Sequence, residues 1–190
     1  MYDAVPDPYC YPGTTVLKNL LNVQDQHTLD ELEAALTAAR ADEPLPHGRL
    51  GATHYAAIHH HLFQDIYPWA GKYRTVRISK DGSAFCYPEN IAREMKALFE
   101  ALKHENFLRG LSREDFAFEA ASFLSTLNAI HPFREGNGRS QTTFITLLAD
   151  QAGHPLDLDK LVPEDFLAAM VASFKGDDGP LERQLLILTK

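Results

Sequence analysis

Between Phe116 and Ile130 the chain is apolar on nearly every side of a helix, with Phe116, Ala117, Ala120, Ala121, Phe123, Leu124, Leu127 and Ile130 spread around its circumference. Such a helix must be wrapped by others, so it predicts a central, buried element. Ser112 followed by Asp115 marks its start. The wrapping elements are legible too. Leu29, Leu32, Leu36 and Ala39 recur at three and four, behind a Thr28–Glu31 capping box. Leu50, Ile58, Leu62 and Ile66 form one stripe that Pro68 closes, and Ile91, Met95, Leu98 and Leu102 form another. Pro163 and Gly179-Pro180 open two further helices, and a short helix is expected over Val16–Leu21.

One stretch breaks the helical rhythm. Tyr73–Ser79 is β-branched and alternating, and Asp81-Gly82 separates it from Ala84–Tyr87. An Asp-Gly turn between two such runs predicts a β-hairpin. Residues 1–13 hold Pro6, Pro8, Pro12 and Gly13 and read as an extended arm. The expected architecture is mainly α, one domain over 1–190, with one short hairpin.

Charge and composition narrow the function classes. The chain has 190 residues and a formal net charge of −8, which disfavours general nucleic-acid binding. Two cysteines cannot make a disulfide framework or a four-cysteine zinc site. No run approaches the ~18 apolar residues of a membrane helix. The first residues lack a basic region followed by an apolar core, so no secretory leader is expected and the default location is cytoplasmic.

The central helix gives way to His131-Pro-Phe-Arg-Glu-Gly-Asn-Gly-Arg139. Gly136 and Gly138 can take positive φ and turn successive backbone N–H groups into one concavity. A helix starting near Asn137 adds its unpaired N–H groups and positive dipole end, which together suit phosphates. Arg139 adds a fork of charged donors. Glu135 is a hard oxygen ligand for Mg²⁺ bridging two phosphates, and His131 can accept a proton near neutral pH. Phe133 is expected to point inward and fix the loop. Alone, His131 reads as a helix-capping histidine; with Glu135, the glycines and Arg139 it reads as a general base beside a nucleotide-phosphate cradle.

Residues 131–139 match the Fic motif, His-Pro-Phe-x-[Asp/Glu]-Gly-Asn-Gly-Arg, at every specified position. The resemblance extends to Tyr67-Pro-Trp-Ala-Gly71, to Arg74–Ser79 and to the arm Asp7–Thr14, which resemble the helix end, target-docking flap and N-terminal arm of short, stand-alone bacterial Fic toxins. The resemblance implies the Fic fold, a helical bundle with a hairpin flap over 74–87, and a protein adenylyltransferase that uses ATP with Mg²⁺. It implies His131 as the base, Glu135 as the metal-holding acid, Gly136, Asn137 and Gly138 as the anion hole, and Arg139 on the β-phosphate. The flap, with Arg77, Ile78, Ser79, Lys80 and Phe85, would register a target segment by strand addition. The target would carry a hydroxyl side chain, with DNA gyrase or topoisomerase IV subunits as the class.

Two departures bear on this. Family members often continue Gly-Arg-x-x-Arg, whereas Thr142 stands at the second arginine here. No [Ser/Thr]-x-x-x-Glu-[Gly/Asn] inhibitory hexapeptide is present, which implies a separate small antitoxin. The alternatives are a phosphotransferase or other phosphodiester transfer at the same site, and an attenuated Fic binding module. Gly138 argues against the kinase, because phosphotransferases of the related Doc type carry lysine there.

Elsewhere the bland readings prevail. His59, His60 and His61 point about 100° apart on a helix and read as solvated or capping. Trp69 reads as a core anchor, Cys86 as a filler, and Asp177-Asp178 as a solvated turn.

Overall fold

The computed structural model describes residues 7–80 and 83–190. The chain is mainly helical. Its helices are α1 (Gln26–Ala41), α2 (Ala52–Phe63), α3 (Pro88–His104), α4 (Arg113–Ile130), α5 (Asn137–Ala152), α6 (Pro163–Phe174) and α7 (Gly179–Leu188). Two strands of two residues each, β1 (Ser79–Lys80) and β2 (Ser83–Ala84), pair antiparallel. The chain divides into two units. One runs to Ile91 and includes Pro132–Ser140; the other comprises Ala92–His131 and Gln141–Lys190.

In the first unit α1 packs on α2. Arg40, at the end of α1, forks onto both carboxylate oxygens of Asp65 at 2.6 and 2.9 Å, and its carbonyl bonds His61 Nε2 at 2.8 Å. The cap of α1 lies three residues ahead of the expected capping box. Asp25 accepts from both the backbone N–H and the hydroxyl of Thr28, so Thr28 donates to a cap instead of being one. The buried side of α1 is Leu29 and Thr37, and Ala39 is exposed. All of Leu50, Ile58, Leu62 and Ile66 are buried, although α2 itself spans only the middle two of them.

The short helix expected over Val16–Leu21 does not form. Leu17 instead bridges antiparallel to Cys10. The buried Asn19 amide donates to the Leu17 and Val23 carbonyls at 2.9 and 2.7 Å and accepts from Val23 N–H. An asparagine that satisfies three backbone groups offers the chain a competitor to helix hydrogen bonds. The hairpin is also shorter than its alternating pattern. Residues 73–78 form no strand, because Arg74 takes over the hydrogen bonding. Its guanidinium is buried and donates to the Val76 and Cys86 carbonyls at 2.7 and 2.5 Å. The Asp81-Gly82 turn lies outside the described residues.

In the second unit α4 packs against α6 and α7, which pack on each other. Its Phe116, Ala117, Ala120, Leu124 and Leu127 are fully buried. Ser112 caps it by accepting from Asp115 N–H at 3.1 Å. Phe99, Phe123 and Phe144 meet with centroids 5.3–5.7 Å apart, two of the three contacts edge-on. Among the described residues, no helix is long and apolar enough to cross a membrane.

Candidate active site

Residues 131–139 begin where α4 stops. His131 is its C-cap, in the left-handed conformation (φ 48°, ψ 63°), with its N–H on the Leu127 carbonyl at 3.0 Å. Its Nδ1 lies 3.3 Å from the Asn128 carbonyl. A carbonyl only accepts, so Nδ1 carries a hydrogen toward it. His131 is the last residue of its stretch of the second unit; the loop that follows belongs to the first.

The loop is held by its own side chains and by partners distant in sequence. Asn137 clasps it: Oδ1 accepts from Phe133 N–H at 3.0 Å and Nδ2 donates to the Phe133 carbonyl at 2.9 Å. The Asn137 side chain is therefore committed to the loop, while its backbone opens α5. Phe133 is fully buried, as its apolar character predicts, and stacks on His59 with centroids 3.7 Å apart. Arg134, at the variable motif position, makes a buried ion pair with Asp7 of the arm, at 2.6 Å. Arg74 N–H donates to the Pro132 carbonyl at 2.8 Å and so joins the hairpin base to the loop.

The two glycines differ. Gly136 has φ +80°, and a Cβ there would lie 2.3 Å from the Phe63 ring. Gly138 is helical instead of left-handed, contrary to expectation, because α5 already includes it. A Cβ on Gly138 would meet nothing within 4 Å. The first glycine is thus required by the chain's own packing, and the second borders open space at a helix N-terminus.

Glu135 and Arg139 lie in one electrostatic network. Burial pushes the Glu135 carboxyl above its ordinary value; the nearby Glu33 adds to this, and its bond from Gly136 N–H, with Arg139 and Arg134, pulls the other way. Arg139, 41% exposed, lies over the Phe63 ring at 4.7 Å and donates to Glu33 and to Thr37 Oγ1, the latter at 3.1 Å.

His59 was not singled out by its pattern. It is fully buried; Gly71 N–H donates to Nδ1 at 2.8 Å and Nε2 faces the Glu135 carbonyl at 2.9 Å. The ring is thus neutral with its hydrogen on Nε2. His60 and His61 reach other carbonyls, those of Ala70 and Arg40. The solvated reading therefore fails for His59, whose role is to fix the loop backbone at Glu135. Burial above all lowers its pKa to about 3. An unfolded chain takes up this proton near pH 6.5 and the folded chain does not, so His59 destabilises the fold as pH falls below that value. The expected slope is ~1.4 kcal/mol per pH unit between the two pKa values. Denaturant titrations from pH 7 to 5 should show a shallower loss for His59→Gln than for the unmodified chain.

In the hairpin, Ile78 and Phe85 are buried, Ser79 is half-buried, and Lys80 and Arg77 are exposed. Arg77 lies over the Tyr87 ring at 4.2 Å and pairs with Glu89 at 3.4 Å. Trp69 is buried and stacks on Tyr67, as expected of an anchor. Thr142 lies on α5, its carbonyl accepting from the Thr146 hydroxyl.

The sequence profile of the Fic/DOC family matches residues 49–149, more than half of the chain. A protein of Sinorhizobium fredii named "Probable protein adenylyltransferase y4lH" is 51% identical over 185 residues, which is 97% of this chain and 96% of that one. "Protein adenylyltransferase VbhT" of Bartonella schoenbuchensis is 38% identical over 93% of this chain, which spans 37% of that longer protein. The crystal structure of the Bartonella tribocorum BepC protein with bound AMPPNP superposes with a TM-score of 0.85 at 29% identity, covering 96% of each chain. The N-terminal Fic domain of a Bartonella quintana effector with bound ADP gives 0.84 at 32% identity, covering 96% of this chain and 94% of that one.

Proposed function

Since the chain belongs to the Fic/DOC family, we propose that it is a protein adenylyltransferase that moves AMP from ATP to a hydroxyl side chain of another protein. The observation that carries this reading is the left-handed Gly136 leading into the start of α5, with open space over Gly138. Backbone N–H groups at a helix start, with Arg139 in its first turn, form an anion cradle. The names of the relatives and the nucleotides bound to similar structures support the same choice.

His131 takes the proton of the target hydroxyl on Nε2. The hydroxyl oxygen bonds to the α-phosphorus, the bond from that phosphorus to the bridging oxygen breaks, and pyrophosphate leaves. Asn137 and Gly138 offer their N–H groups to the phosphate oxygens, the Gly136 N–H, which bonds the Glu135 carboxylate at 2.9 Å, joins them where that carboxylate turns to the metal, and Arg139 takes the β-phosphate. Glu135 fits Mg²⁺: it is a hard oxygen donor whose charge burial makes costly, as its raised pKa reflects, so a cation would offset that cost, and one carboxylate with substrate phosphates is an ordinary Mg²⁺ donor set. Bound with ATP, that cation would neutralise phosphate charge. The hairpin would receive a target segment along its backbone, with Arg77 and Lys80 exposed for selectivity.

The resemblance to stand-alone toxins extends the proposal to a cytoplasmic toxin restrained by a separate antitoxin and acting on type II topoisomerase subunits. Incubation with candidate subunits and ATP labelled at the α- or the γ-phosphate tests both parts. Label from the α-position should stay on a subunit and label from the γ-position should not; the reverse indicates a phosphotransferase.

Thr142 favours a second reading, an attenuated module, because threonine cannot supply a delocalised charge for a γ-phosphate. Thr142→Arg should raise transfer about tenfold or more if the charge is what is missing. No gain, with ATP binding absent in both forms, would favour the binding module.

A further inference from the structure

Arg139 is gripped on three sides within the first unit. Its guanidinium lies over the Phe63 ring at 4.7 Å, and that same ring fills the space beside Gly136. One terminal nitrogen donates to Glu33 and the other to Thr37 Oγ1. Both acceptors stand on α1, one turn apart, and both are themselves fixed. The Thr37 hydroxyl donates to the Glu33 carbonyl at 2.6 Å, which turns its lone pairs toward Arg139. The second Glu33 carboxylate oxygen accepts from the Tyr67 hydroxyl. Tyr67 in turn stacks on the buried Trp69, with centroids 4.4 Å apart. The Glu33 side chain is 13% exposed, whereas that of Arg139 is 41% exposed. The carboxylate is thus set into the fold and the guanidinium faces outward from it. A flexible arginine loses rotamer freedom when it meets a phosphate; a pre-set fork has already lost it.

We propose that Glu33 is the positioning residue for Arg139, a carboxylate that aims the guanidinium at the nucleotide's β-phosphate. The proposal rests on the reading of Arg139 given above. Glu33 acts through Arg139 and touches no reacting atom. The pair leaves other guanidinium N–H groups for phosphate, since a guanidinium has five.

Titration of the intact chain with Mg-ATP and, separately, with AMP tests it, because AMP has no β-phosphate. Glu33→Ala should weaken ATP binding about tenfold, the scale of one charge-assisted bond, and leave AMP binding within about twofold. Glu33→Gln keeps an acceptor oxygen and should fall between. Adding Glu33→Ala to Arg139→Ala should cost nothing more than Arg139→Ala alone. If Glu33→Ala does not fold, Glu33→Gln and Thr37→Val must each show the ATP-selective loss. The proposal is overturned by unchanged or tighter ATP binding in Glu33→Ala, by an equal loss for AMP, or by additive losses in the double variant. Normal ATP binding by Arg139→Ala removes the phosphate role of Arg139 and the proposal with it; loss in Arg139→Ala without loss in Glu33→Ala removes Glu33 alone.

Discussion

His131→Ala should lose AMP transfer by about 10²–10⁴-fold while binding ATP as tightly as the unmodified chain. The two halves of this expectation have separate causes. Transfer fails because the ring nitrogen proposed to take the hydroxyl proton is gone. Binding survives because the phosphate contacts proposed for Gly136, Asn137, Gly138 and Arg139 lie on the far side of Pro132, in a loop clasped by Asn137, His59, Arg74 and Asp7. The cap itself is a backbone bond, His131 N–H to the Leu127 carbonyl, which alanine keeps. Its left-handed conformation costs alanine about 1 kcal/mol. His131→Asn, which tolerates that conformation, should therefore be equally inactive and more stable than His131→Ala. Label transfer from ATP and nucleotide titration on the same preparations measure both quantities. Transfer by His131→Ala at the unmodified rate would remove the histidine from the chemistry.

The two glycines of the loop should part company just as sharply. Gly136→Ala must place a methyl 2.3 Å from Phe63 at φ +80°, so both sterics and backbone oppose it. The expected loss is about 2–5 kcal/mol, or roughly 5–15 °C in melting temperature for a chain of this size. The Phe63 ring also supports Arg139, so activity should fall with stability. Gly138→Ala meets nothing and sits in a helix, where alanine is favoured by about 0.5–1 kcal/mol. It should melt no lower than the unmodified chain, yet bind ATP more weakly, because the methyl would occupy space above the first N–H groups of α5. Thermal melts and ATP titrations of the two variants should thus give opposite patterns. Equal destabilisation would mean that Gly138, too, is structural.

What could be read ahead of the structure divides by the range of the interaction. The all-round apolar character of 116–130 and the Ser112–Asp115 cap are local, and both appear in α4 as expected. So does the inward turn of Phe133. The motif segment itself was recognisable because its residues stand nine in succession. Its supports were not. Glu33 and Thr37 looked like two polar positions on an amphipathic helix, and nothing local tells that Arg139 bonds both. His59 was hidden among three histidines, and its burial between the Phe133 and Phe63 rings, a tertiary feature, separates it from the others. The shorter misses have the same origin. Asn19 and Arg74 claim backbone groups that periodicity had assigned to a helix and to longer strands. Asp25 captured a cap that Thr28 could equally have formed.

The variable position of the motif, filled here by Arg134, is anchored to Asp7 of the arm, far from it in sequence. A guanidinium so enclosed cannot lose its counter-charge cheaply. Trimming the leading segment would therefore strip a support from the 131–139 turn, though no residue of the turn itself had been touched. While the polypeptide is being synthesised, Asp7 emerges 127 residues before its mate, and the turn remains half-built until Arg134 has followed it out of the ribosome.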